Sequence, residues 1–290
     1  MSLALHDERA SLAGQSKIST KNVETTLKYW KKPDAGRTSI DLTDPGADRL
    51  CDELGSLEEE HPILIRDIRG QEETEQFTLD RNGFQYIEDL VPEYNEDWDE
   101  KRIERFFLPS TEDLVARLTG ATKVLVYKHR VRCHATGPCS PAHIVHADFT
   151  PVGAMQQLKT LIPPSEHEQL VQSKTRILAL NIWRPLQTVT RDPLALCDWA
   201  SIDPEEDIIP SRFVAADGWL EVAKVAHSSR HSWWYCSFQS PEEVVVFKQF
   251  DSATGERGSS VVHSAFVDSE FVEEEPRRSL EVGVFAFVPQ

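Results

Sequence analysis

The sequence predicts a mainly β fold, in which a double-stranded β-helix (a jelly-roll, cupin-like core) carries helices on its outside. From residue 121 onward, short apolar or alternating segments follow one another, each bounded by Pro, Gly, Ser or Asp. Strands at this spacing are typical of a sandwich or barrel. One helical segment, PVGAMQQLKTLI, interrupts them. The predicted strands are TKVLVYKH, HIVHADF, TRILALNIW, SWWYCSF, EVVVFKQF, SVVHSAF and LEVGVFAFV.

The N-terminal part of the chain is predicted to wrap around this core. Residues 1–290 are interpreted as one domain, with a helix-containing wrapping region at 1–120 and the jelly-roll at 121–290. HPILIRDIRG and EQFTLDRNGFQYI have weak extended character, and EDWDEKRIERFFLPSTEDLVARLTG is helical. We expect two helices there, broken at Pro109, with Gly120 ending the second.

Composition restricts the class of partner. Hydrophobic residues make up 40% of the chain, with seven Trp and thirteen Phe, which excludes a disordered protein. No apolar run approaches the roughly 18 residues of a membrane helix, so no membrane partner is expected. The net charge of −17 argues against a nucleic-acid partner, which needs a basic surface. A small molecule is the expected partner, and a homodimer is left open.

Cysteine usage and the first residues predict a cytoplasmic protein. The segment MSLALHDERASLAGQ lacks the basic and apolar regions of a signal peptide. The five cysteines are scattered and include no C-x-x-C pair. A reducing compartment fits them best.

The segment HIVHADFT contains the first candidate site. A strand directs His146 and Asp148 to the same face. An imidazole and a carboxylate on one face of a core strand are costly to bury without a partner, and a metal ion would be one. A later strand histidine, His263 in SSVVHSAF, completes a set of two His and one carboxylate. This set is typical of non-haem Fe(II) oxygenases, because it leaves open coordination positions.

His143 is the alternative ligand, since H-x-x-H is also a zinc pattern. On a strand, however, His143 and His146 face opposite sides. We therefore expect His143 to have a structural or supporting role.

Arg277 and Ser279 in PRRSLEV are the candidate anion site. They lie two residues apart at the start of the last predicted strand, on one face. A guanidinium beside a hydroxyl can hold a carboxylate. In NIWRP, Asn181 and Trp183 share a face; they are interpreted either as part of the pocket lining or, for Trp183, as core.

Three further segments carry a family resemblance. NIWRPLQTVTRDPLALCDWASI, HSWWYCSFQSPEEVVVFKQFDS and PRRSLEV resemble the hydroxylase/desaturase family typified by AsaB, which takes in the gibberellin desaturase and the P8 chain of cephem methoxylase. The resemblance runs from about Val23 to the C-terminus. It implies oxidation of secondary metabolites with Fe(II), 2-oxoglutarate and O2. On the family pattern, His146, Asp148 and His263 match the iron ligands, and Arg277 with Ser279 match the clamp for 2-oxoglutarate.

The predicted function is therefore an Fe(II)/2-oxoglutarate-dependent dioxygenase. It would hydroxylate, desaturate or cyclise a small secondary-metabolite or amino-acid-derived substrate by C–H abstraction. Two alternatives remain: a non-catalytic jelly-roll binding protein, and a Zn- or Mn-dependent hydrolase or isomerase on the same fold.

The sequence departs from the family pattern at Gly283, where the family commonly has an arginine. If that arginine holds a substrate, this chain either takes a smaller substrate or anchors it elsewhere. The loop HRVRCHATGPCSPA supplies candidates, because Arg130 and Arg132 lead into the metal-bearing strand. We interpret it as a lid whose arginine captures a substrate carboxylate, or else as a surface loop with weak ion pairs.

Overall fold

The computed structural model describes residues 20–35, 37–71, 77–91, 99–134, 136–137, 139–257 and 260–289. Strands dominate these ranges, and helices lie outside the sheets. The predicted mainly β fold with external helices is confirmed. The strands are β1 Val23–Trp30, β2 Thr38–Asp41, β3 Glu58–Asp67, β4 Phe84–Glu88, β5 Lys123–Arg132, β6 His146–Ala147, β7 Arg176–Pro185, β8 Leu194–Cys197, β9 Ile208–Ala215, β10 Gly218–Val225, β11 Trp233–Tyr235, β12 Glu243–Asp251, β13 His263–Ala265 and β14 Ser279–Val288.

The same ranges contain helices that lie outside the sheets. They are α1 Ala47–Gly55, α2 Glu100–Arg102, a π-helix at Ile103–Phe107, α3 Leu108–Thr119, α4 Pro151–Leu161, α5 Pro164–Gln172 and α6 Pro204–Asp207, with 3-10 turns at Trp199–Ser201 and Ser252–Arg257.

The strands form two sheets. One has five strands in the order β4-β12-β7-β14-β5, and the other has nine in the order β1-β3-β11-β8-β13-β6-β10-β9-β2. Four strands before residue 120 therefore belong to the sheets, so the N-terminal residues contribute strands as well as covering helices. The single-domain prediction, with its boundary at residue 120, stays a prediction.

The five-stranded sheet is buried on both faces. Its central strand β7 is enclosed along almost its whole length. Leu178, Leu180 and Ile182 pack with α3 on the outer face, and the alternate residues Asn181 and Trp183 line a cavity on the inner face. Because successive side chains of a strand point to opposite faces, one face of β7 packs against α3 and the other lines the cavity.

The helix expected to break at Pro109 does not break there. Helical backbone continues from Glu100 to Thr119, and the turn before Pro109 is a π-helix. The wider π turn accommodates a ring that would clash with the carbonyl four residues earlier, and Pro109 itself lies in the first turn of α3, where its missing N–H costs little. Gly120 ends the helix in the left-handed conformation, as predicted (φ 72°).

The strand predicted over HIVHADF is reduced to His146–Ala147. It lies between β13 and β10, and His263 is registered opposite His146. Strands β8, β9 and β10 were not predicted as strands, although they complete the nine-stranded sheet.

The KQFDS segment forms a buried ion cluster at the end of β12. Asp251, which has no exposed surface, accepts hydrogen bonds from Arg176 at 2.9 and 2.6 Å and from Lys248 at 2.7 Å. Ser252 Oγ accepts from the Ile177 amide. This part of the family resemblance therefore has a structural basis, because it joins β12 to the start of β7.

Replacing Asp251 by Asn should lower the free energy of unfolding by about 3 kcal/mol at neutral pH, because the buried Lys248 would lose its buried counter-ion and keep only the exposed Asp80. Burial raises the pKa of Asp251, but Arg176 and Lys248 outweigh it and bring the pKa to about 2. The stabilisation of the folded state by ionised Asp251 is therefore fully present above pH of about 4, the pKa of an aspartate in the unfolded chain. It is lost as the pH falls towards 2.

Denaturant unfolding of both proteins between pH of about 7 and 3 measures the difference. Asp80 contacts the same two cations but is 78% exposed. Asp80→Asn is therefore the matched control, with an expected cost under about 1 kcal/mol. Equal losses in the two variants would contradict the burial argument.

Candidate functional site

Three predicted residues meet at the centre of the nine-stranded sheet. The pairing of β13 with β6 places His263 opposite His146, and Asp148 follows two residues later. One ligand atom from each residue, an imidazole nitrogen or a carboxylate oxygen, lies within 4.8 Å of the other two. Among the described residues, no other group of three or more His, Cys, Asp or Glu side chains meets in this way.

Backbone carbonyls orient both imidazoles. Nδ1 of His146 donates to the Ile144 carbonyl at 2.8 Å, and Nδ1 of His263 donates to the Val261 carbonyl at 3.0 Å. Since a carbonyl can only accept, each ring carries its proton on Nδ1 and offers the Nε2 lone pair. Nε2 of His263 lies 3.9 Å from Oδ2 of Asp148.

The protonation states suit a divalent cation. Burial, reinforced by His146, lowers the pKa of His263 to about 4, so the ring is neutral at pH 7. Burial alone would raise the pKa of Asp148, but Lys128, His263 and His146 outweigh it and hold the carboxyl ionised. Metal binding requires neutral imidazoles and a carboxylate.

Ser279 is the first residue of β14, whereas Arg277 lies two residues before that strand and not at its start as predicted, and both are buried. One guanidinium nitrogen of Arg277 donates to the Asp192 carbonyl. Within the described part of the chain, Nε of Arg277 and Oγ of Ser279 are buried without a hydrogen-bond partner. Burial lowers the pKa of Arg277 to about 10, so it remains a cation at pH 7. Buried polar groups rarely lack a partner, so a carboxylate fits this pair.

A single cavity joins the metal-type cluster to Arg277. Its volume is about 160 Å³. Asn181 and Trp183 both line it, and the Arg277 guanidinium lies 5.1 Å from the centre of the Trp183 ring. The amide oxygen of Asn181 is also buried without a partner. The complete lining is Lys128, Arg130, Arg132, Ala142, His146, Asp148, Asn181, Trp183, Leu194, Phe247, His263, Ala265, Arg277 and Glu281.

Arg130 and Arg132 line the cavity from a strand. Strand β5 extends to Arg132, three residues beyond the predicted segment TKVLVYKH, so the prediction that these arginines lie in a loop is wrong. Pairing along β14 continues the strand, because Ser279 lies opposite Arg132. Arg132 contacts the Ser140 carbonyl and Glu281, whereas no described residue holds Arg130 through a hydrogen bond or ion pair.

His143 does not join the metal-type cluster. Its Nε2 lies 3.3 Å from the carboxylate of Asp192, whose backbone carbonyl receives Arg277. His143 therefore supports the Arg277 side of the cavity, in agreement with the expectation of a supporting role.

Sequence reasoning missed Lys128 and Gln249. Lys128 Nζ lies 3.6 Å from Oδ1 of Asp148, and the amide nitrogen of Gln249 donates to Oδ2. The K-x-R-x-R spacing of residues 128–132 could have revealed Lys128 as a third inward cation. Alternation could have revealed Gln249, because it lies two residues after Phe247, which lines the cavity, and comes before the face order changes at the β-bulge.

Comparisons with known proteins agree with this geometry. A family model described as an oxidoreductase/YMDC permease-like domain matches residues 27–287. The hydroxylase/desaturase efuI of Hormonema carpetanum is 29% identical, over 93% of this chain and 96% of its own. The hydroxylase/desaturase asaB of Aspergillus flavus is 27% identical, over 85% and 86%. A solved variant of the iron and alpha-ketoglutarate-dependent endoperoxidase NvfI superposes with a TM-score of 0.77 at 26% identity, covering 94% of this chain and 99% of that one.

The chain belongs to the AsaB-type hydroxylase/desaturase family. The predicted jelly-roll fold is confirmed, and so is the predicted class, an Fe(II)/2-oxoglutarate-dependent dioxygenase. Among the described residues, no helix is both long and apolar enough to cross a membrane. The family model's description names both an oxidoreductase and a permease-like domain. The hydroxylase/desaturase relatives agree with the word oxidoreductase.

The departure at Gly283 also has a structural explanation. A Cβ added at Gly283 would lie 2.6 to 2.8 Å from atoms of the Tyr127 ring. The ring therefore occupies the space into which any larger side chain at this position would project. In this member of the AsaB-type family, an arginine at position 283 would have to displace Tyr127.

We expect the metal-free protein to bind one Co(II) per chain through His146, Asp148 and His263. His263→Ala should weaken Co(II) binding by more than the about 10- to 100-fold that loss of an outer-shell partner costs, because it removes a ligand. Chelator competition measures the dissociation constant. His143→Ala should leave that constant nearly unchanged, and the reverse pattern would move the site to His143.

Proposed function

We propose that His146, Asp148 and His263 hold Fe(II) and that Arg277 with Ser279 holds the far carboxylate of 2-oxoglutarate. The observation that carries this proposal is one cavity lined by both the three-ligand cluster and Arg277, whose Nε, like Oγ of Ser279, is buried without a hydrogen-bond partner among the described residues. A zinc or manganese hydrolase would have no use for the second feature. The family comparison supports the same assignment.

Bound iron and 2-oxoglutarate would supply an O2-dependent oxidation of an unactivated C–H bond. The chain's own residues provide placement. Arg277 fixes one end of the cosubstrate by a charge-assisted contact, and Trp183 packs beside that guanidinium. Leu194, Phe247 and Ala265 give the cavity an apolar wall that limits water around the target carbon.

We propose a small anionic substrate, in the secondary-metabolite or amino-acid-derived class. The negative charges of Asp148 and 2-oxoglutarate are matched by divalent iron together with Arg277. Arg132 already faces Glu281. Lys128 shares Asp148 with the metal site. Arg130 then remains on the cavity wall without an anionic partner among the described residues, and a substrate carboxylate would supply one.

The reaction outcome depends on where the target carbon lies. Hydroxylation, desaturation and ring closure differ by small displacements of that carbon, so the cavity wall would choose among them. The relatives' names, hydroxylase/desaturase and endoperoxidase, describe such different outcomes on one fold. A cytoplasmic location is also proposed, supported by the absence of a disulfide bond among the described residues. A homodimer stays a prediction.

Arg277→Leu should raise the dissociation constant of 2-oxoglutarate about 10- to 100-fold, because a charge-assisted contact contributes about 1.5 to 3 kcal/mol. Anaerobic titration of the Fe(II)/2-oxoglutarate charge-transfer band measures it. Arg278 is half-exposed and does not line the cavity, so Arg278→Leu is the matched control. A larger effect in the control would place the clamp one residue later.

The substrate proposal predicts discrimination between a carboxylic acid and its primary amide. A compound that perturbs the charge-transfer band should bind about tenfold more tightly as the acid, from a contact of about 1.4 kcal/mol. Arg130→Ala should remove that preference and raise the succinate formed per product, while the affinity for 2-oxoglutarate stays constant. Equal binding of acid and amide to the unaltered enzyme would refute an anionic substrate.

A further inference from the structure

A hydrogen-bond chain crosses the inner face of the five-stranded sheet and ends on Asp148. Tyr127 Oη donates to the amide oxygen of Gln249 at 2.9 Å, and the amide nitrogen of Gln249 donates to Oδ2 of Asp148. Lys128 approaches the other carboxylate oxygen. Donors therefore approach both oxygens of Asp148.

Two β-bulges create this chain. One interrupts β12 between Lys248 and Phe250 and adds Gln249. The other interrupts β5 opposite Gly283 and Val284 and adds Tyr127. Strands β7 and β14 lie between β12 and β5, so the two side chains must reach towards each other across both strands. Bulges commonly redirect side chains near functional sites.

Gly283 is the position that leaves room for the chain. It lies on β14, between β5 and Asn181 of β7. Because a Cβ at this position would meet the Tyr127 ring at 2.6 Å, the ring could not keep its present place. Glycine is required here for space, not for a special backbone conformation.

The direction of each hydrogen bond follows from Asp148. An ionised carboxylate only accepts, so the amide nitrogen of Gln249 must face it and the amide oxygen must face Tyr127. Burial, together with Asp148, raises the pKa of Tyr127 well above its usual value, so the phenol keeps its proton and donates. A flipped Gln249 would bring its oxygen against the carboxylate and would leave Tyr127 without an acceptor.

We propose that Gln249, held by Tyr127 in the space left by Gly283, is the positioning residue that fixes the rotamer of Asp148 for metal binding. The inference rests on the proposed role of Asp148 as a metal ligand. Ligating carboxylates are commonly held by such outer contacts, and losing one typically costs about 10- to 100-fold in metal affinity.

The test is the Co(II) affinity of the metal-free protein, measured without turnover. Gln249→Leu should raise the dissociation constant for Co(II) about 10- to 100-fold. Tyr127→Phe keeps the ring but removes the donor, so it should weaken binding by a smaller factor, about 3- to 10-fold. Gly283→Ala should act like Tyr127→Phe, because it displaces the same ring.

The control is Tyr86→Phe. Tyr86 also has a buried hydroxyl, but that hydroxyl has no partner among the described residues and lies outside the cavity. Its Co(II) affinity should equal that of the unaltered protein. The Co(II) visible absorption spectrum should change in Gln249→Leu and Tyr127→Phe but not in this control, which separates a change at the ligand from a general loss of stability.

The double variant gives the sharpest discrimination. Gly283→Ala added to Tyr127→Phe should cost no further Co(II) affinity, because both changes act through one hydroxyl. Additive losses, or unchanged Co(II) affinity and spectrum in Gln249→Leu and Tyr127→Phe, would overturn the inference. A wild-type protein that binds no Co(II) would instead refute the proposed function.

Discussion

The geometry of the candidate metal site depends on the pairing of two very short strands, β6 and β13, in a single register. Strand β6 has two residues and β13 has three, yet their pairing sets His263 opposite His146 although more than a hundred residues separate them in the chain. Neither strand could hold that alignment alone. Their neighbours β10 and β8 fix it through longer ladders, so the outer strands of the nine-stranded sheet support the alignment of the cluster.

The buried charged residues of this protein fall into two kinds: those paired within the chain, which are structural, and one that is only partly paired, which we assign to the functional site. Asp251 is enclosed by Arg176 and Lys248, and Arg184 is enclosed by Asp89, so these ions are satisfied within the chain. Arg277 is equally buried but keeps an unpartnered nitrogen, with the free hydroxyl of Ser279 nearby in sequence. A buried cation that lacks some of its hydrogen bonds destabilises the fold. A bound carboxylate ligand would supply those hydrogen bonds and offset the destabilisation.

Sequence patterns predicted the parts of the molecule that obey simple periodicity. Alternation gave β7, β12 and β14, and it placed Asn181 with Trp183 and Arg277 with Ser279 on one face each. It failed where the backbone departs from period two or 3.6. The π turn before Pro109 carried the helix past a residue expected to end it. Because an extra residue reverses the order of faces, the bulges at Tyr127 and Gln249 let Lys128 and Phe250 follow them on the same inner face, which no fixed alternation would select.

The carbonyls that hold His146 and His263 belong to residues only two positions earlier in the chain. Each ring is thus tied to its own local backbone, independently of any ion. Side-chain ordering on metal entry would then be small, since rotamer freedom has already been lost during folding. The entropic penalty is moved from binding to folding, as in other preorganised sites. A metal centre of this kind is preorganised, because the fold and not the ion orients its two imidazoles.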